Sequence, residues 1–218
     1  MLAGVFGGEV GAAGTGNRLC QSGDGPRPGC DQGEPDMSKR AQGRGGLLCL
    51  PVETPWGWLA PVSRGAGVVR CCLPVESREL AIERVCRGDE VAVVGGGDCG
   101  DLDLAAKRLA GYFLGEAVGF DVPLDLGEVG AFSALVLAEC NRIGYGDTYS
   151  YGELALRVGR PGGARAVGQV MRRNPLAPLV PCHRVLGAGG ALTGFGGGLE
   201  MKRRLLELEA AARMQQSG

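Results

Sequence analysis

Histidine is nearly missing from this chain: His183 is the only one in 218 residues. The nine cysteines, at positions 20, 30, 49, 71, 72, 86, 99, 140 and 182, contain no Cys-x-x-Cys pair. A zinc site would therefore need mostly cysteine ligands, and the spacing offers no paired knuckle. Reduced thiols in an intracellular compartment are the simpler reading, with most cysteines, including the adjacent Cys71 and Cys72, serving as small core residues. No run approaches the roughly 18 apolar residues that a membrane span needs. The start of the chain lacks the basic residues, apolar stretch and cleavage site of a secretory signal.

A composition of 44% hydrophobic and 22% charged residues is that of a globular protein, long enough for one ordinary domain or two small ones. The first 46 residues stand apart, because 13 of them are Gly and no periodicity survives beyond a few positions. Such a segment buries too little apolar surface to offset its ordering entropy, and 1–46 is expected to be a disordered extension. Met37 is a candidate start; native peptides from residues 1–36 would exclude it.

The net charge of −1 hides an asymmetry. Residues 47–141 carry 7 Lys/Arg against 14 Asp/Glu, and 142–218 carry 11 against 5. The basic part marks where a polyanion would dock, although an ordinary solvated surface has the same excess.

Short apolar runs at Leu47–Val52, Gly57–Val62 and Gly67–Leu73, broken by Pro and Gly, read as a small antiparallel sheet, with Val91–Val94 a further strand. Helical spacing follows at Leu102, Ala105, Leu109 and Phe113, and again at Val129, Phe132, Val136, Cys140 and Ile143. Gly119–Gly127 between them reads as a linker. The division expected is therefore an α/β domain over 47–126, a largely helical domain over 127–212 and a disordered tail over 213–218.

Ser150-Tyr151-Gly152-Glu153 is a capping box, and Tyr151, Leu154, Ala155 and Val158 continue as an apolar stripe. Gly159-Arg160-Pro161-Gly162-Gly163 breaks it, after which Ala164, Val167, Val170 and Met171 start a second stripe. Two short helices around a tight turn make a helix-turn-helix candidate, although many helical hairpins bind nothing. On the second helix Arg165, Gln169, Arg172 and Arg173 share one face while Ala166 and Gly168 stay small, which suits close approach to phosphates or a groove as well as it suits a solvated basic face.

From Asn174 to Pro181 the prolines predict a rigid extended connection into Cys182 and His183. A thiolate is the effective nucleophile, and an imidazole base is one way to generate it near neutral pH. Neighbours on a strand face opposite ways, so direct contact between the two requires a turn, or a water between them. Glu209, in a helix expected from about Leu199 to Ala212, falls on the apolar stripe with Leu205 and Leu206 and needs a partner there. Either an imidazole N–H, as in a nucleophile–histidine–acid triad, or a nearby arginine would satisfy it.

These residues resemble one family. The string PCHRV at 181–185, RAVG beginning seventeen residues before Cys182, the Asn-Pro between, SYGELA upstream and GFGGGLEMKRRLLELE downstream are similar to the O6-alkylguanine-DNA alkyltransferases, or methylated-DNA–protein-cysteine methyltransferases, over about residues 130–210. The resemblance implies an α+β fold: a small ribonuclease-H-like α/β domain, then a helical, winged-helix-like domain with the helix-turn-helix. It implies direct-reversal repair, in which Cys182 accepts the alkyl group from O6-alkylguanine, or from O4-alkylthymine, in duplex DNA. His183 would act through a water and Glu209 would complete the relay. Tyr151 would donate a proton as the guanine leaves, with a core tyrosine as the plain alternative, and Asn174 would hold the active-site turn. Arg165 would fill the place of the flipped nucleotide, and Gln169, Arg172, Arg173, Ala166 and Gly168 would meet the DNA. Tyr151, Phe195, Gly196, Met171 and Val185 would form the base pocket.

Flipping is what the chemistry requires, since O6 of a paired guanine lies inside the stack. The family docks in the minor groove, where readout is degenerate, so binding should be salt-dependent and nearly blind to sequence. A thioether leaves poorly and no second nucleophile or cofactor is implied, so the reaction should stop after one event. Zinc is not implied either. The expected partner is double-stranded DNA carrying the lesion, with no membrane, and the protein is expected to be a monomer in the nucleus of a eukaryote or the cytoplasm of a bacterium. Two positions depart from the family: Phe195 stands where Tyr is usual, losing a hydroxyl, and Gly144 where Pro is usual, loosening the turn before Tyr151. Gly194–Gly198 would let the loop backbone approach the base, as an ordinary flexible turn would also do. Three rivals remain: a non-repairing binder of alkylated bases, which would lack the acceptor cysteine; a cysteine hydrolase, which leaves Arg165 unexplained; and a sequence-specific transcription factor.

Overall fold

The computed structural model describes residues 46–65 and 67–216. The expected disorder of 1–46 and the candidate start at Met37 lie outside the described residues, Gly46 excepted.

The first apolar run divides where proline removes a ladder donor. Leu47–Cys49 forms β1 and Val52–Thr54 forms β2, separated by Leu50 and Pro51; Gly57–Leu59 (β3) and Val62–Arg64 (β4) are separated in the same way by Ala60 and Pro61. The expected runs Leu47–Val52 and Gly57–Val62 are thus two strands each. β2 and β3 make a separate hairpin, whose turn needs Gly57: its φ is 119°, and a Cβ there would stand 2.4 Å from the Val75 carbonyl oxygen. Val68–Arg70 (β5) and Val91–Val93 (β6) complete a four-stranded sheet in the order β5-β4-β1-β6, antiparallel except for the β1–β6 pair, which is parallel.

β1 is buried on both faces, and its period of two sorts the side chains. Leu47 and Cys49 join Val62, Ala81 and Val85 on one side; Leu48 and Leu50 join Leu102 on the other. The first of these layers is closed by helix α1, Arg78–Cys86, which the sequence reading passed over. Ser77 caps it by accepting the Leu80 N–H, and the Arg70 guanidinium donates to the carbonyls of Val85 and Cys86 at its end. The second layer is closed by α2, Asp101–Phe113, where Leu102, Ala105, Leu109 and Phe113 are buried as their spacing predicts and Tyr112, outside that spacing, is buried with them. Each fully buried leucine of this kind contributes about 1.5–3 kcal/mol.

The segment Gly119–Gly127 is no loose linker. Val68 donates to the Pro123 carbonyl and accepts from the Asp125 N–H, so the segment continues the sheet past β5, with Phe120 and Val122 buried beneath it. Glu128 then pairs with Arg64 and Arg70.

Ala131–Asn141 (α3), Tyr151–Arg157 (α4) and Ala164–Arg172 (α5) pack together. The Ser150–Glu153 capping box is formed in both directions. Tyr149–Ser150 (β7) pairs in parallel with Val185–Leu186 (β8), and Gly198–Gln216 (α6) closes the structure. α6 runs four residues beyond its expected end at Ala212, because Arg213 is anchored on the Gly146 carbonyl and Asp147. The largest apolar cluster joins Leu59, Val68, Leu109 and Phe113 to Val136, Leu154, Val167, Leu179 and Leu205, so it draws on both sides of residue 127. The fold is mixed α+β. No helix among the described residues is long and apolar enough to cross a membrane, and the seven described cysteines are free thiols, five of them buried.

Candidate active site

The chain between α5 and Cys182 is a succession of turns rather than the extended connection that its prolines predict. The reason is Asn174. Its Oδ1 accepts from the Leu176 N–H at 3.0 Å and its Nδ2 donates to the Val180 carbonyl at 2.9 Å, folding six residues back on themselves. Cys182 N–H donates to Val180 O across Pro181, and Cys182–Arg184 then form a single 3₁₀ turn. That turn separates the side chains of Cys182 and His183, and among the described residues they share no direct hydrogen bond.

His183 is fully buried, and its Nε2 lies 2.7 Å from Oε1 of Glu209. Glu209 accepts from four groups: His183, the Tyr112 hydroxyl at 2.7 Å, the Arg184 guanidinium at 2.9–3.1 Å and the Gly146 N–H at 2.9 Å. The two partners that the sequence left open, an imidazole and an arginine, are both present. The arginine is Arg184, from the turn bearing Cys182. Arg184 also donates to the Ile143 carbonyl at 2.6 Å. A carboxylate accepting from so many donors is ionised, so Nε2 must carry the imidazole hydrogen. His183 Nδ1 is buried without a hydrogen-bond partner among the described residues.

Burial works to raise the Glu209 carboxyl, but the hydrogen bonds and charges of His183 and Arg184 outweigh it and hold the pKa at about 2. Burial pushes His183 below its ordinary value; Glu209 opposes that, while Arg184 and Lys202 assist it. The imidazole is therefore neutral at pH 7 and able to accept a proton. Cys182 is pushed up by burial, opposed by a hydrogen bond from Asn174 and by the Lys202 ammonium. It rests as a thiol, and its activation needs a base.

Arg165, Gln169 and Arg172 on α5 and Arg173 just past its end are all exposed, with Ala166 and Gly168 half-buried beside them. Arg165, Gly168 and Arg172 border a cavity of about 490 Å³, together with Tyr151 from α4 and Gly187, Thr193 and Gly194 from the loop after β8. An added Cβ at Gly168 would lie 3.9 Å from the Tyr151 ring, in ordinary contact with it, so the two residues face each other across the cavity wall. The Tyr151 hydroxyl makes a long, 3.4 Å contact with the Gly194 carbonyl. Of the five residues expected in a base pocket, only Tyr151 lines this cavity. Met171 and Val185 are buried in the core, Phe195 packs against that core, and Gly196 lies by the carbonyl of Arg172. The turn at Gly144, expected to be loose, is closed by Asp147 N–H donating to the Gly144 carbonyl and tied to α6 through Glu209 and Arg213.

Sequence reasoning missed Tyr112, Arg184 and Lys202. The Lys202 ammonium is buried, donates to the Val185 carbonyl at 2.6 Å and the Thr193 carbonyl at 3.2 Å, and lies 5.7 Å from the centre of the Tyr151 ring. Lys202 lies three residues before Leu205 and seven before Glu209 on one helix, so it shares their inward face; that spacing was the available signal. Among the described residues no group of three metal-ligating side chains is gathered to hold a metal ion.

The sequence profile of a family described as 6-O-methylguanine DNA methyltransferase, DNA binding domain, matches residues 131–211. A methylated-DNA–protein-cysteine methyltransferase of Mycobacterium bovis is 52% identical over 112 residues, covering 51% of this chain and 67% of the relative. One from the archaeon Methanosarcina acetivorans is 47% identical over 107 residues, covering 49% and 68%. The crystal structure of Mycobacterium tuberculosis OGT in complex with DNA superposes with a TM-score of 0.63 at 38% identity, over 76% of this chain and 94% of that one.

Proposed function

The chain belongs to the methylated-DNA–protein-cysteine methyltransferases, and from that premise we propose how its residues carry out the reaction. It repairs alkylated DNA by moving the alkyl group from O6 of guanine to the sulfur of Cys182, one event per molecule. The observation that carries this assignment of roles is the buried line from Glu209 through Nε2 of His183, with Nδ1 left as the free base one residue from Cys182.

His183 Nδ1 takes the thiol proton through a water. The thiolate forms a bond to the alkyl carbon as the bond from that carbon to O6 breaks, and the departing guanine takes a proton from Tyr151. Glu209 stays ionised and stabilises the imidazolium. The lesion reaches the cavity by flipping out of the duplex, with Arg165 at the cavity mouth filling the space it leaves. Gln169, Arg172 and Arg173 contact the DNA backbone, with Ala166 and Gly168 allowing close approach; the other face of α5 is buried in the core. Phe195 and Gly196 frame the loop that covers the base, and Met171 and Val185 support the pocket from within. No metal or cofactor enters this scheme.

The sheet order, three antiparallel strands followed by a parallel fourth with a helix on each face, supports a ribonuclease-H-like domain over 47–126. The α4–α5 pair and the short β7–β8 ladder support a winged-helix-like domain over 127–212. We assign the protein to the compartment that holds its DNA, nucleus or bacterial cytoplasm, acting as a monomer. O4-alkylthymine is the second substrate that this mechanism would accept.

The test is intact-protein mass after incubation with excess duplex DNA carrying O6-methylguanine. One added methyl group, absent in Cys182→Ala, is expected. Lesion binding with unchanged mass would replace this reading with that of a binder.

A further inference from the structure

Tyr112 stands on α2, outside the segment that carries every other group of the relay. It is fully buried, its ring edge-on to Phe113 and Tyr145 and tilted against Phe120. A buried phenol needs a partner, and an accidental one would satisfy it. Tyr112 has two: its hydroxyl oxygen lies 2.7 Å from Oε1 of Glu209 and 3.2 Å from Nε2 of His183.

Resting on the function proposed above, we propose that Tyr112 is a positioning residue of the relay, holding Glu209 against His183 and fixing the imidazole tautomer that leaves Nδ1 free for the Cys182 proton.

The hydrogens can be assigned one by one. Glu209 is ionised and only accepts, so the Tyr112 hydrogen goes to it as the stronger acceptor. The phenol oxygen then turns a lone pair toward Nε2. The Nε2–H hydrogen lies between two acceptors, the carboxylate and the phenol. A tautomer with its hydrogen on Nδ1 would face both with a lone pair, which is repulsive. Tyr112 also draws charge from Glu209, so it limits how far that carboxylate raises the basicity of His183. The other charged groups acting on the imidazole are Arg184 on its own turn and Lys202 on α6; the Cys182 thiol is its neighbour in that turn, and Tyr145 meets Tyr112 edge-on.

His183 is the only histidine, so protein labelled with ¹⁵N-histidine shows a single imidazole. Long-range ¹H–¹⁵N correlation through a pH titration reads its tautomer and its midpoint directly, whether or not the protein transfers alkyl groups. Parent protein should show Nε2–H. Tyr112→Phe, which removes one oxygen and keeps the ring, should bring the Nδ1–H form into view and move the midpoint with it. Single-turnover transfer at neutral pH should slow about tenfold, with duplex affinity unchanged.

An unchanged midpoint and tautomer in Tyr112→Phe would overturn the proposal, even if transfer slowed, since slowing alone marks lost packing. Should that variant fail to fold, 3-fluorotyrosine placed at position 112 decides, since it keeps the ring and the oxygen and makes the hydroxyl a stronger donor to Glu209: a lowered His183 midpoint upholds the proposal and an unchanged one overturns it. Absence of methyl transfer by the parent would instead overturn the function, leaving the imidazole spectra to judge Tyr112 independently.

Discussion

His183 and Glu209 meet at 2.7 Å across 26 residues of sequence, and both are almost wholly withdrawn from solvent. A buried carboxylate next to a buried imidazole is costly unless every remaining lone pair is used. Here Tyr112, Arg184 and Gly146 use them. The pair is thus fixed in charge and in direction, with the carboxylate negative, the imidazole neutral and its basic nitrogen left over.

Acid stability should depend on this carboxylate. An unfolded glutamate titrates near 4.5 and the folded Glu209 near 2. Between those values the unfolded chain binds more protons, so stability present above about pH 4.5 is lost as the pH falls toward 2. Urea midpoints from pH 5 to pH 2.5 should fall steeply for the parent and more shallowly for Glu209→Gln. At neutral pH that variant should already be weaker by about 3 kcal/mol, because it leaves Arg184 buried without its counter-charge.

Replacing His183 by Gln should slow transfer by about a hundredfold, the usual loss of a general base. Because burial sets the folded His183 below its ordinary value, the parent rate should fall only on the acid side of neutrality, as the imidazole takes up a proton. The variant should have no such limb. Single-turnover rates from pH 5 to 8 measure both; an identical acid limb in the variant would assign it to another group.

Arg165 is exposed, so Arg165→Ala should leave the thermal midpoint almost unchanged, as surface substitutions do. Transfer from duplex DNA should slow by about tenfold or more, since flipping then goes unsupported at a cost of a few kcal/mol. Transfer from the free O6-alkylguanine base should be unaffected. An equal loss on both substrates would place Arg165 in the chemistry of the pocket instead.

Asn174→Ala removes the two bonds that fold the turn and the one that lowers the Cys182 thiol. A loss of about 2 kcal/mol in denaturant stability is expected. The transfer rate should also shift its rise to higher pH, a change that destabilisation alone would not produce.

Much of the site is legible in the sequence because local rules govern it. A serine three residues before a glutamate makes a capping box wherever the chain continues as a helix, and Ser150–Glu153 does so. A glutamate on an apolar stripe has to find a partner, which singles out Glu209. What the sequence hides is set by approach in space. Tyr112 comes from 97 residues away, and nothing in its own helix distinguishes it from Phe113 beside it. The strand runs were read too long, since Pro51 and Pro61 end one sheet and begin another within a few residues. α1 escaped notice because its four charged residues leave only Ala81 and Val85 fully buried. The turns before Cys182 were misjudged because proline restrains φ without setting the direction of the chain, and the Asn174 side chain supplies that direction.

Cys182 is only 4% exposed, and burial keeps its sulfur protonated. For a protein that works once, that shelter matters as much as reactivity does. Alkylating agents adrift in the cell, and peroxides with them, attack thiolates that they can touch. A covered thiol ignores both, so each molecule survives in a loaded state until a damaged base is delivered to it, and the stock of unspent protein remains a measure of the lesions repaired rather than of the chemicals encountered.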